Sequence, residues 1–158
     1  MTRLISNAIL TRARERGVAA VEAAILLPIF LICLTFPVFF AQYYWHYTVA
    51  QKAAQDAARY LSTVSAQEMR SKPLAKAAAA VANEIVRTEV GELSPGTDID
   101  DPVIQCGTIP CGSKAGTVPS TVRVLVTFGM KDTFFGVVDT GRYGLDITAD
   151  VTLHYVGN

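Results

Sequence analysis

The hydrophobic pattern divides the chain into three regimes. From Ala23 to Ala41 it reads AAILLPIFLICLTFPVFFA, with no charge and Thr35 as the only hydroxyl. From Val18 to Gln51 the only formal charge is Glu22. A helix needs roughly 20 apolar residues to cross the hydrocarbon core of a bilayer, so the pattern predicts a transmembrane helix that starts near Gly17 and occupies residues 18–46. Pro28 and Pro37 each remove a backbone hydrogen bond. Membrane helices tolerate this, and a bend rather than a break is expected.

After the apolar run the period becomes helical and amphipathic. Val49, Ala53, Ala57, Tyr60 and Val64 fall at three- and four-residue steps, which places them on one face. This predicts a helical stalk over residues 47–70, ending at about Met69. Ser71–Lys72–Pro73 breaks it, and Pro73 suits the first turn of another helix. That helix is expected to reach about Val90, with Leu74, Ala77, Val81, Ile85 and Val86 inward and Gly91 as its C-cap. Residues 91–120 carry Gly and Pro throughout and read as loop. The pattern then switches to period two. Residues 121–128 place Val122, Val124, Val126 and Phe128 on one face; residues 145–155 place Leu145, Ile147, Ala149, Val151, Leu153 and Tyr155 inward. Such alternation marks half-buried strands. Residues 133–139, TFFGVVD, read as a shorter strand or hairpin edge. The fold class is therefore α+β: a long membrane-spanning helix, a second helix, a cysteine-bearing loop and a small antiparallel sheet, with residues 71–158 as the outer domain.

Charge orients this arrangement. In residues 1–17 Arg3, Arg12, Arg14 and Arg16 face one acid, Glu15. A basic flank on one side holds the N-terminus in the cytoplasm. On the far side Tyr43, Tyr44, Trp45 and Tyr47 read either as an interfacial aromatic belt or as a packed aromatic cluster. The run is longer than the h-region of a cleaved secretory signal and no A-x-A site follows it, which favours a retained anchor. Over the whole chain 14 Lys and Arg balance 14 Asp and Glu, and no basic cluster marks a nucleic-acid surface.

Three features carry candidate chemistry. Glu22 lies just inside the apolar helix, where a carboxylate is costly. It is either functional or a boundary residue that reaches water. Cys106 and Cys111 flank Gly-Thr-Ile-Pro and are expected to form a disulfide outside the cytoplasm. The rival, a zinc site, would need two more ligands, and only His46 and His154 are left. Cys33 reads as a small hydrophobe within the span. Asp98, Asp100 and Asp101 lack the Gly and Glu spacing of an EF-hand loop, so a solvated acidic turn is expected and no metal. No nucleophile motif, phosphate-binding glycine loop or paired metal-ligand spacing is present. Neither an enzyme nor a cofactor is expected.

The string RGVAAVEAAILLPIFLICL resembles the N-terminal signature of TadE-like proteins, through Gly17, Val21–Glu22 and Leu27–Pro28. VAQKAAQDAARYLS resembles the family's Ala-rich stretch, through Gln51, Ala53–Ala54 and Ala57–Ala58–Arg59–Tyr60. Ala23 and Ala57 depart from it, standing where the family often has an aromatic residue and a glycine. The resemblance covers roughly residues 16–62. It implies a minor pilin or pseudopilin of the tight-adherence (Flp, type IVb) pilus, held in the bacterial inner membrane with its C-terminal domain in the periplasm. It also implies a processing site at Gly17 and Val18, cut by a prepilin peptidase, with Glu22 as the fifth mature residue. The implied partners are that peptidase, other pilin or pseudopilin subunits, the inner-membrane assembly platform and membrane lipid. The new Val18 α-amino group would titrate near neutrality and could pair with Glu22 of the next subunit, setting axial register.

Overall fold

The computed structural model describes residues 2–94, 99–132, 141 and 144–157, with side chains from Val18 onward. The elements are α1 (Thr2–Thr63), α2 (Ala66–Arg70), α3 (Lys72–Gly91), β1 (Val103–Cys106), β2 (Ile109–Pro110), β3 (Thr121–Met130) and β4 (Leu145–His154). The chain forms two compact units, Met1–Phe40 and Ala41–Asn158.

The helix expected near Gly17 is longer than the apolar run: α1 is continuous from Thr2 and contains Pro28 and Pro37 without interruption. The leader is rich in Arg, Ala, Leu and Ile, which favour or tolerate helix. Gly17 costs only about 1 kcal/mol relative to Ala in a helix interior. In the first unit the residues from Val18 to Leu34 are all exposed.

In the second unit, α1 presents a fully buried face of alanines, Ala50, Ala53, Ala54, Ala57 and Ala58, with Leu61 at its end. Of the stripe read from sequence, Ala53 and Ala57 lie on this face, Val49 and Tyr60 are only half-buried, and Val64 is buried but falls past the end of the helix; the buried face also takes in Ala50, Ala54, Ala58 and Leu61. The stalk does not run unbroken to Met69. It stops at Thr63, and α2 starts anew with a capping box: the Ser65 hydroxyl accepts from the Glu68 N–H, and the Glu68 carboxylate accepts from the Ser65 N–H. These reciprocal bonds satisfy amides that a helix start leaves orphaned. Pro73 sits in the first turn of α3 as expected.

Two expectations for α3 are corrected. Its buried face is Ala75, Ala78, Ala82, Val86 and Val90. Leu74 and Val81 are 47% and 46% exposed, Ala77 is exposed and Ile85 half-buried. Of the predicted inward residues only Val86 is buried. Alanines let helices approach closely, so the small face turns inward and the bulkier one outward. Gly91 is the last helical residue rather than the cap, and Glu92 occupies the C-cap in right-handed helical geometry.

The expected loop over 91–120 contains two strands. The sheet order is β2-β1-β3-β4, all antiparallel. β1 and β2 turn through Gly107 and Thr108, with Gly107 at φ 72°, a positive value of the kind tight hairpin turns require. β3 and β4 pair over ten consecutive residues, Thr121↔His154 to Met130↔Leu145. Val122, Val124, Val126, Phe128 and Met130 of β3 are fully buried, with Ile147 and Ala149 of β4. This is the alternation the sequence predicts, although Leu145 is 40% exposed and Val151, Leu153 and Tyr155 are half-buried. The short strand expected at 133–139 lies outside the described residues, as does Asp98.

Candidate functional site

The first unit is defined by its surface. Ile25, Leu26, Leu27, Phe30, Ile32 and Phe36 are each at least 60% exposed. This amount of apolar surface in contact with water is strongly unfavourable, at roughly 25 cal/mol per Å². It is the surface of a segment whose solvent is lipid or other apolar helices. α1 contains one span long and apolar enough to cross a membrane. Glu22 is exposed on it, and no described residue pairs with its carboxylate. Val18 lies four residues earlier, 55% exposed, so the two share one helix face about 6 Å apart along the axis. Cys33 is exposed and reduced.

At the start of the second unit α1 carries two contrasting faces. Gln42 and His46 are buried although polar. The Gln42 amide donates to the Lys131 carbonyl at 3.2 Å, and the His46 Nδ1 lies 2.8 Å from the Gln42 carbonyl with its ring beside Phe128. Tyr44 and Trp45 are 62% and 66% exposed. Tyr43 meets Tyr44 edge-on, with 5.9 Å between centroids. The aromatic side chains thus split away from the core-facing polar pair. Outward Tyr and Trp at the end of an apolar span suit a headgroup boundary.

At the other end of this segment the C-terminal tail closes the helix. The Tyr155 hydroxyl donates to the Val64 carbonyl, and the Val156 and Gly157 amides both donate to the Ser62 carbonyl at 3.1 Å. The last carbonyls of a helix have no partner inside it, so residues some 90 positions later supply them. Burial pushes the Tyr155 hydroxyl pKa up, and Glu68 adds to this while Arg70 opposes it. Sequence reasoning placed Tyr155 on the inward face of a strand but gave no sign of this closure, because the partner carbonyls are main-chain atoms.

Cys106 and Cys111 form the disulfide expected from sequence, with Cα atoms 4.8 Å apart. The bond spans the β1–β2 hairpin. With both sulfurs in that bond, neither is a thiolate for the rival zinc site. Beyond it, Gly112 (φ 75°) sits against the first turn of α3, where a Cβ would lie 2.8 Å from the Lys72 carbonyl oxygen. The Gly116 amide donates to the Arg70 carbonyl at 2.8 Å. The disulfide therefore holds a loop that fastens the sheet to the α2–α3 junction. Among the described residues no group of three or more His, Cys, Asp and Glu could hold a metal. Asp101 pairs with Arg87. Across the outer face of the sheet Arg123 grips Asp150 through both carboxylate oxygens, which holds the Asp150 carboxyl below its usual range.

These features define a class: an α+β protein whose membrane-type helix continues into a small helix-and-sheet domain. Residues 17–59 match the family model of TadE-like proteins, which associates the chain with the Tad pilus system. The match takes in Glu22, the apolar span, the aromatic stretch and the buried alanine face of α1. No curated protein and no solved structure matches the chain.

Proposed function

We propose that this protein is a minor pilin or pseudopilin that supports assembly of a tight-adherence pilus. It is stored in the inner membrane through residues 18–46, with the basic leader in the cytoplasm and the domain from residue 47 onward in the periplasm. A prepilin peptidase cuts after Gly17, and Val18 becomes the new N-terminus. The helix then leaves lipid for the apolar core of a pilus or of a priming complex on the assembly platform. The outer domain acts as an interaction module rather than an enzyme.

The observation that carries this reading is the exposed apolar surface from Val18 to Leu34, interrupted only by Glu22, inside the segment that matches the TadE-like model. A plain anchor gains nothing from a carboxylate one turn into the span. In a helix bundle of low dielectric, that carboxylate and the Val18 ammonium of a neighbouring subunit each offset the other's desolvation. Breaking a buried pair by removing one partner costs about 3–5 kcal/mol.

Mass spectrometry of the protein purified from its native membrane tests the reading: the chain is expected to begin at Val18. Retention of Met1 or Thr2 overturns it. One observation favours a second reading, an uncleaved scaffold of the same apparatus: α1 is helical straight through Gly17, whereas a peptidase acts on a locally opened chain. Under that reading a Gly17→Ala change leaves both the N-terminus and pilus yield unaltered.

A further inference from the structure

We propose that the outer edge of β4 accepts an extended segment of a different polypeptide chain as a fifth strand of the sheet.

Two backbone contacts at the strand ends fix which groups face that edge. The Tyr155 amide donates to the Ser120 carbonyl at 3.0 Å, and the Gly107 amide donates to the Thr121 carbonyl at 2.7 Å. Both pairs continue the observed registers. Hydrogen-bonded and non-bonded pairs alternate along an antiparallel ladder, so Leu145, Ile147, Ala149, Val151 and Leu153 spend their backbone groups on β3. Asp146, Thr148, Asp150, Thr152 and His154 point their N–H and C=O groups away from it. All five residues are exposed.

Long open edges template further pairing, and proteins blunt them with short strands, Pro, Lys or bulges. The opposite edge of this sheet is blunted: β2 has two residues, one of them Pro110, and a disulfide clamps its hairpin. β4 has ten residues, no Pro, Gly or Lys, and an unbroken register.

The side chains describe the occupant. Asp150 is engaged by Arg123, while Asp146 forms no ion pair among the described residues. A Lys or Arg on the incoming segment belongs opposite Asp146. On the other face Val151 and Leu153 are half-buried and Leu145 is exposed, so the segment alternates, with apolar residues on that side. A second copy fits poorly. Its β2 edge is too short. An in-register parallel β4 pair sets Asp146 against Asp146, and like charges directly opposite are destabilising. An antiparallel β4 pair fails on connectivity. From Gln42, beside Lys131, to Val64, beside Tyr155, α1 runs in the same direction as β4. The pair's two-fold axis would put the two Ala41 ends at opposite ends of the dimer, about 30 Å apart along the strands by helix rise. Two chains anchored in one membrane need those ends on the same side; this exclusion rests on the anchored reading.

The test places a photo-crosslinking benzophenone amino acid at Thr152 of the full chain in its native membranes. The expected result is one adduct, mapped by mass spectrometry to an alternating segment of another protein. Thr148→Pro should abolish it, because the Thr148 amide faces the edge and Pro is tolerated there; Asp146→Lys, a surface change that leaves folding intact, should weaken it. No adduct, an adduct to a second copy, or an adduct indifferent to Asp146→Lys overturns the proposal. So does an adduct that persists in a folded Thr148→Pro chain. The N-terminus found at residue 1 or 18 does not alter this readout, so the two proposals fail separately.

Discussion

Replacing Tyr155 by Phe removes one oxygen and tests whether the C-terminal tail secures the end of α1. The hydroxyl donates to the Val64 carbonyl, which lies just past the last helical residue and beside Ser62, itself capped by Val156 and Gly157. Val64 is buried, so water cannot readily replace the lost donor. A buried acceptor left without its partner costs about 1–3 kcal/mol; with Tyr155 only half-buried, the lower part of that range, about 1–1.5 kcal/mol, is expected. For a domain of this size that lowers the thermal midpoint by roughly 3–6 °C. Near-UV circular dichroism of the full chain in detergent reads the transition. The same variant isolates a pH effect. Burial raises the Tyr155 pKa above its ordinary value of 10.0, so between that value and the raised one the native state holds a proton that the unfolded chain has released. Stability from this group is complete below pH 10 and declines as pH rises through that window. The wild-type chain should lose stability there more steeply than Tyr155→Phe. A variant that melts with the wild type and shows the same alkaline slope refutes the closure.

Four other outcomes follow from the same contacts. Gly112→Ala places a methyl group 2.6 Å from Lys76 Cγ at φ 75°, and a loss of about 1–3 kcal/mol is expected in urea unfolding, as for strained backbone positions. Reducing Cys106–Cys111, or changing both residues to Ser, opens a small loop and should cost about 2 kcal/mol by chain entropy, seen as a lower denaturation midpoint under dithiothreitol. Asp150→Asn removes the clasp on Arg123; the pair is 41% exposed on each side, so about 0.2–1 kcal/mol is expected. Because the Asp150 pKa is lowered, that difference is present in full above the ordinary carboxyl pKa and is lost as pH falls from there through the lowered value, measurable by paired melts at a series of pH values from about 6 downward. Glu22→Ala should leave the N-terminus of the mature chain unchanged and reduce pilus yield on the cell surface; normal yield would make Glu22 a tolerated boundary residue.

Some of this protein is determined locally, and there the sequence is decisive. A run without charge from Ala23 to Ala41 has one favourable environment. Period-two alternation over 145–155 buries one side of a strand whatever it pairs with, and Cys106 and Cys111 are close enough in sequence for a turn to bring them together. The match over residues 17–59 falls on the same local signals. What tertiary structure alone decided are choices between surfaces that look alike in sequence. α3 carries two apolar sides, one with Leu74, Val81 and Ile85 and one with Ala75, Ala78 and Ala82. By hydrophobicity Leu74, Val81 and Ile85 should turn inward, yet Ala75, Ala78 and Ala82 do so, because close packing rewards small residues on facing surfaces and that depends on the neighbour. The strand order β2-β1-β3-β4, the β4 edge that no other described strand pairs with, and the capping of Ser62 and Val64 by Tyr155–Gly157 are likewise set by contacts between distant parts of the chain. These use main-chain groups that every residue possesses, and so leave no mark in the order of side chains.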